Sequence, residues 1–377
     1  MALTAIDGRD PATGRSLRVR IEDGLIAAIE PGQDASEAWL APGLVDLQVN
    51  GWGGQDLNAP GLTADRVASF VRSVLATGTT TMLPTLITAS EESLTASLAA
   101  IASARAGDPV VARAVPSVHV EGPHISPNDG PRGAHPREHV IPPDTGLFDR
   151  LQRVAGGLIK VVTLSPHWEG TGAFVRHLAG CGVHVAIGHS DAPPEAIAAA
   201  ADAGAVLSTH LGNGIAATLP RHPNLIWAQL AEDRLSASFI ADGHHLPGDT
   251  LKAMLRAKGL GRSLLVSDAT ALGGMPPGVY RQPIGGEVEL TPDGRLGVRG
   301  TPYLAGAARS LADGVATVAG IVGLADAIRL ATVNPARHAG QGGFLAVGQP
   351  ADLIRFRWAP GDASLSLDTV LSGGQEP

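Results

Sequence analysis

The sequence predicts an α/β protein, a (β/α)8 TIM-like barrel with a small β-sandwich domain formed by both termini. Three observations predict it. Strand-like runs alternate with Ala/Leu-rich helical stretches through the middle of the chain. Both ends are rich in strands instead. The length, 377 residues, exceeds one ordinary core and suits a barrel of roughly 250 residues with a smaller partner. The expected division is residues 1–42 plus 341–377 for the β domain and 43–340 for the barrel.

The elements follow in order. In "SLRVRIEDGLIAAIE", Leu17, Val19 and Ile21 alternate with Arg18, Arg20 and Glu22. Asp23-Gly24 signals a hairpin turn, and Leu25 to Ile29 is the return strand. The runs "TTTMLPTL", "AVPSVHVEGP", "IKVVTLSP", "VHVAIGHS", "AVLSTH", "ASFIADG" and "SLLVSDAT" read as barrel strands. One unit is complete in itself. "VHVAIGHS" is a strand, Asp191 offers an N-cap, and Pro193 or Pro194 suits a first helical turn. "EAIAAAADA" is then the helix, and Gly204 its C-cap. Residues 279–300 break the rhythm as a β-hairpin insertion around Asp293-Gly294. The helical run from Ala305 to Arg337 then closes the barrel. "GQPADLIRFRW" and "LDTVLSGGQEP" return to strand. A doubly wound open sheet is the alternative, but no G-x-G-x-x-G follows the first strand of the middle region.

In such a barrel the C-terminal strand ends share one face, where active sites are built. Glu121, His189, His210 and Asp268 each end a predicted strand. A carboxylate with two imidazoles is a common catalytic metal set that leaves a position open, so Glu121, His189 and His210 are the expected ligands. Asp268 is the expected base, taking a proton from the attacking water and returning it to a leaving amine. The competing reading is that these histidines only cap strands and that Asp268 starts a turn. His119 is expected to be structural, His124 and His244 to support the site, and His167 and Trp168 to sit just beyond a strand end.

Composition narrows the partners. Net charge is -8 and aromatics are 3%, without the basic stripe and stacking rings of a nucleic-acid binder. No apolar run reaches the roughly 18 residues of a membrane span. The opening "MALTAIDGRD" shows no secretory pattern. The lone cysteine, Cys181, is expected to be a small buried thiol in a reducing compartment. A cytoplasmic location follows as the expectation.

With those residues in hand, the chain resembles the amidohydrolase superfamily and, within it, the N-acetylglucosamine-6-phosphate deacetylases. The pieces that carry the resemblance are "APGLVDLQVNGWGG", "HVEGPHIS", "GAH", "AIGHSDA", "STHLGNG", "FIADGHH", "LLVSDATA", "ATVNPAR" and "GQPADLI", in order along nearly the whole chain. The resemblance implies the same metal ligands and the same acid/base. It further implies that His135 helps polarise the substrate carbonyl and that His245 contacts the sugar. Asn213 and Gly214 would lie in the phosphate-side loop, and Arg221 would reach phosphate across a homodimer interface. Two departures stand out. Gln48-Val49-Asn50 occupies the place of a His-x-His pair, and amides are poor transition-metal ligands, so one divalent metal per chain is expected. Zinc is the first expectation, and iron or manganese suits the same donors. Gly212 and Gly214 replace a bulky residue and an alanine, which bears on phosphate recognition. Arg221 reads either as a phosphate ligand or as a surface arginine.

The function implied is removal of the acetyl group from an N-acetylated amino sugar, N-acetylglucosamine 6-phosphate first. Hydrolysis of another amide is the enzymatic alternative: an unphosphorylated or other N-acetyl sugar, an N-acyl amino acid or a cyclic ureide. Lys160 lies at the start of its strand and does not suit a metal-bridging role. A non-catalytic binding protein that kept the barrel is the third reading.

Overall fold

A computed structural model describes residues 4–32, 37–282 and 286–377. Eight parallel strands form its centre: β1 (Leu44–Val49), β2 (Thr79–Ile87), β3 (Val118–Glu121), β4 (Ile159–Leu164), β5 (His184–Ile187), β6 (Ala205–Ser208), β7 (Ser236–Ile240) and β8 (Ser263–Val266). Each is hydrogen-bonded to the next in chain order. β1 is buried throughout and β2 nearly so, as expected for strands covered on both faces.

Closure between β8 and β1 uses a side chain. The Asp268 N–H donates to the Gln48 carbonyl at 2.9 Å. The Asp46 carboxylate accepts from the N–H of Gln48 at 3.1 Å and of Ser267 at 3.2 Å. Burial pushes Asp46 up to about 7 against those bonds.

Val45, Leu47, Leu83, Val161, Ala186 and Leu207 fill the barrel interior. Larger apolar clusters lie between strands and helices. The helices start where the chemistry allows: Thr63, Ser90, Asp144 and Asn224 each cap one with a side-chain oxygen. Ser310 and Asp313 form a reciprocal capping box at the start of Leu311–Val322. Two further helices, Leu324–Leu330 and Val333–Ala339, complete the return. The Ala331 carbonyl between them accepts from the Val45 N–H of β1 at 2.8 Å.

The strand-rich ends form one six-stranded sheet. Its order is Ser366–Leu371, Leu353–Arg357, Trp39–Pro42, Thr4–Arg9, Ser16–Glu22, Leu25–Pro31. The Asp23-Gly24 turn joins the last two strands, with φ of 50° and 79°. The insertion is larger than a single hairpin. It is a three-stranded antiparallel sheet of Gly278–Gln282, Gly286–Leu290 and Leu296–Val298, with Asp293-Gly294 in the second turn.

Two local expectations are corrected. Cys181 is exposed, because it follows the last turn of helix Thr171–Gly180, before Gly182 at φ 71° turns the chain back toward buried Val183 and β5. Asp191 does not cap the helix Pro194–Ala203, which starts at Pro193 without a side-chain cap. Proline at the first position has no N–H to satisfy, and the Asp191 carboxylate instead accepts from Asn128 Nδ2 at 2.6 Å. Among the described residues no helix is long and apolar enough to cross a membrane.

Candidate active site

Strand ends deliver the polar residues, and the backbone then bends to aim them. Glu121 is the last residue of β3. His189, His210 and Asp268 each stand two residues beyond β5, β6 and β8, with φ of 47°, 28° and 49°. Left-handed conformations at non-glycine residues cost roughly 1–3 kcal/mol each and cluster at functional sites. Hydrogen bonds hold these bends. The His210 N–H donates to Ser238 Oγ at 2.7 Å, and the His189 carbonyl accepts from the Ser126 N–H at 2.9 Å.

The three side chains converge underneath a cavity. Glu121 Oε1 lies 3.0 Å from His210 Nε2 and 3.3 Å from His189 Nε2, and the two Nε2 atoms are 3.1 Å apart. His189 Nδ1 is 2.8 Å from the Pro131 carbonyl. A carbonyl only accepts, so Nδ1 carries the proton and Nε2 presents its lone pair. Glu121 is fully buried, which alone would raise its pKa. His189 and His210 nonetheless hold it well below the usual carboxylate range. The bond to Glu121 correspondingly raises His210 despite burial. A buried carboxylate and two facing imidazole nitrogens thus bring three donor atoms to one place. The donor set therefore fits a divalent cation. Among the described residues it is the one group of three or more such side chains, with its donor atoms within 4.8 Å of one another.

The amides of β1 reach both carboxylates. Gln48 Nε2 donates to Glu121 Oε1 at 2.9 Å. Asn50, one residue past β1, donates from Nδ2 to Asp268 Oδ1 at 2.7 Å. Asp268 is half-buried and opens onto the cavity. Desolvation first, then the charge of Glu121, pushes it up to about 6.

His135 stacks against His189 with ring centroids 4.3 Å apart, and its Nε2 is 3.8 Å from Glu121 Oε2. Burial and then His189 push it down to about 3, so the ring is neutral. Thr88 meets its Nδ1 with both Oγ1, at 2.9 Å, and the main-chain N–H, at 3.4 Å. The N–H can only donate to Nδ1, which leaves the ring proton on Nε2. His245 Nδ1 is tied to Asp242 Oδ2 at 2.7 Å. That bond and the N–H groups of His244 and His245 hold Asp242 down to about 2 against its burial.

The cavity has a volume of about 440 Å³. His135, His189, Asn213, Gly214, His245 and Asp268 line it, with Asn50 beside them. Gln282, Val288, Leu296 and Tyr303 of the insertion and the segment after it form an outer wall. Gly214 has φ 59°, and a Cβ there would lie 2.8 Å from His189 Nδ1. A side chain at that position would therefore require the His189 ring to shift. Gly212, at φ 100°, would meet Leu246 at 2.9 Å.

Other candidates fall elsewhere. Arg221 is exposed and does not line the cavity. No Lys or Arg does so among the described residues. His119 is buried inside the barrel, bonded to Thr163 Oγ1 at 2.7 Å and the Leu47 carbonyl at 3.1 Å. His124 packs on Phe174. His244 bonds the Asp293 carbonyl of the insertion at 3.2 Å. His167 bonds Ser165 Oγ at 2.6 Å, and Trp168 Nε1 donates to the Ile125 carbonyl at 3.1 Å. Lys160 is the second residue of β4. Sequence reasoning missed Thr88, Asp56, Asn58 and Tyr303. Asking for the polar residue just past every strand end would have found Thr88, one position beyond β2.

The family model described as Amidohydrolase family matches residues 39–376. The chain is 30% identical to the N-acetylglucosamine-6-phosphate deacetylase of Bacillus subtilis (strain 168), covering 89% of this chain and 87% of that protein. It is 33% identical to the N-acetylgalactosamine-6-phosphate deacetylase of Escherichia coli O157:H7, covering 88% of each. The solved N-acetyl-D-glucosamine-6-phosphate deacetylase of Mycobacterium smegmatis superposes with a TM-score of 0.87 at 29% identity, covering 100% of this chain and 99% of that one.

Proposed function

The chain belongs to the amidohydrolase family, and from that premise we propose that it removes the acetyl group from an N-acetylated amino sugar. N-acetylglucosamine 6-phosphate is the proposed substrate, giving glucosamine 6-phosphate and acetate. One observation carries the reading: His189 of the buried Glu121–His189–His210 cluster lines the same cavity as Asp268 and His135, in a chain whose relatives bear deacetylase names.

Glu121, His189 and His210 would hold one divalent ion, zinc first by donor type, with iron or manganese as the other choices. Such an ion supplies Lewis acidity toward a carbonyl and toward water. The rest is the work of the chain. Asp268, with one oxygen fixed by Asn50, takes a proton from the attacking water. A base that titrates near neutrality suits that task. His135 donates from Nε2 to the acetamide oxygen as negative charge develops there. Asp268 then gives its proton to the sugar nitrogen when the C–N bond breaks, since an unprotonated amine is a poor leaving group. His245 offers Nε2 to a sugar hydroxyl.

The 6-phosphate needs a counter-charge that no cavity-lining Lys or Arg supplies. Arg221 of a second copy of the chain is proposed to supply it, with Asn213 and Gly214 on the same side. The exposure of Arg221 and the 54% exposure of Trp227 in the helix that follows are consistent with a homodimer surface there. A charged sugar phosphate is retained inside a membrane, so a cytoplasmic location accompanies this reading.

Acetate release from N-acetylglucosamine 6-phosphate, N-acetylgalactosamine 6-phosphate and both unphosphorylated sugars tests the proposal. Turnover of the glucosamine phosphate with kcat/KM at least about tenfold above the others supports it. Preference for the galactosamine phosphate would move the assignment to the other named substrate. Activity on none of the four, in protein loaded with zinc, iron or manganese, would reject it.

A further inference from the structure

Asn50 is the first residue past β1, and its main chain is fixed on both sides. Its N–H donates to the Ala269 carbonyl at 2.8 Å, and its carbonyl accepts from the Leu57 N–H at 3.1 Å. Its side chain touches the cavity and makes one hydrogen bond, from Nδ2 to Asp268 Oδ1 at 2.7 Å. Its own Oδ1 is buried without a partner. A buried acceptor left unpaired costs stability, so this amide is not placed for the stability it gives. The reverse orientation would set Oδ1 against a carboxylate. Only the donating orientation suits Asp268.

Asp268 is held at a second point, its N–H to the Gln48 carbonyl at 2.9 Å, on a backbone with φ 49°. β1 thus grips the residue by main chain and by one oxygen. Among the described residues no other hydrogen bond reaches the carboxylate, and Oδ2 is left free to exchange a proton. Asparagine can donate to the charged carboxylate without itself taking the proton, which a histidine at the same place would compete for.

We propose that Asn50 is a positioning residue for the reaction: its amide clamps Oδ1 of Asp268 so that Oδ2 alone accepts the proton of the attacking water and returns it to the leaving nitrogen. The inference rests on the deacetylase reading for the direction of proton transfer. The clamp itself rests on the Asn50–Asp268 geometry alone.

A double-mutant cycle on Asn50→Ala and Asp268→Asn tests it, with Asn50→Asp as a same-shape control that removes the donor. Asn50→Ala should lower kcat by roughly 10- to 100-fold, within the range of a general acid–base contribution. KM should change by less than about threefold, with metal content unchanged. In the Asp268→Asn background, Asn50→Ala should change kcat by less than about twofold, because residues acting as a unit are not additive. Asn50→Asp should be at least as damaging as Asn50→Ala. Multiplicative losses, a loss confined to KM, or wild-type kcat in Asn50→Asp would overturn the proposal. The same four proteins are unfolded in urea without substrate. Non-additive stabilities are expected, and independent ones would dismiss the clamp even if the wild type deacetylated none of the sugars tried. Wild-type turnover decides the deacetylase reading, and the cycle decides Asn50.

Discussion

Asp268 is the residue on which the proposed chemistry turns, and its environment makes a pH prediction. Desolvation and then the charge of Glu121 push its carboxyl up to about 6. Below that value it is protonated and cannot act as a base, so kcat/KM should fall as pH drops. A bound divalent cation nearby favours the charged form, so the acid limb should lie at or below pH 6. A pH–rate profile between pH 4 and 8 checks this, and a rate that holds constant to pH 4 would exclude Asp268 as the base. Asp268→Asn keeps the shape and should lower kcat by at least about a hundredfold, the low end for general acid–base catalysis. Its metal content should stay at wild-type level. The opposite pattern is expected of His189→Ala and His210→Ala, which should lose bound metal as read by elemental analysis of the purified proteins.

The elements that carry these side chains impose their own tests. His189 stands on the bend after β5 and is pressed by the loop after β6, where Gly214 approaches within reach of its ring. Gly214→Ala adds a left-handed alanine, which costs about 1 kcal/mol in backbone terms. It also places a Cβ 2.8 Å from His189 Nδ1. Gly156 has a similar φ, 61°, with nothing within 4 Å of its Cβ position. Gly156→Ala should therefore cost stability alone, whereas Gly214→Ala should also lower metal occupancy and kcat. Equal metal occupancy in the two variants would show that the Gly214 loop gives way. The far end of β5 offers a second test. His184 Nδ1 is 2.8 Å from His338 Nδ1 on the helix Val333–Ala339. Burial and then His184 push His338 from 6.5 down to about 4. The unfolded chain binds that proton first, so stability present above pH 6.5 is lost as pH falls from 6.5 toward 4. Urea unfolding at pH 7 and pH 5 should show the loss, and His338→Gln should flatten it.

At the scale of the whole molecule, the barrel gathers residues nearly 150 positions apart, and the insertion adds an outer wall to the cavity they share. No Lys or Arg among the described residues lines that cavity, so the counter-charge for a phosphate belongs to this scale. If Arg221 of a second copy supplies it, Arg221→Ala should raise KM for a phosphorylated substrate at least about tenfold and leave an unphosphorylated one unchanged. A bidentate guanidinium–phosphate pair is among the stronger hydrogen-bonded contacts. Equal effects on both substrates, or a monomer in sedimentation experiments, would leave Arg221 an ordinary surface residue. By itself the sequence determined the barrel and the positions of Glu121, His189, His210 and Asp268 at strand ends, because a strand's apolar pattern and its breaking residues are local features. It also marked Gln48 and Asn50 as amides where ligands would be expected, but not what they do. Only the tertiary structure decided that Gln48 donates to Glu121 and Asn50 to Asp268, that Gly214 lies against the His189 ring, and that Cys181 faces solvent. Those facts depend on which strand lies beside which and on how the backbone bends past each strand end. Both are set by contacts between residues far apart in sequence, to which local periodicity is blind.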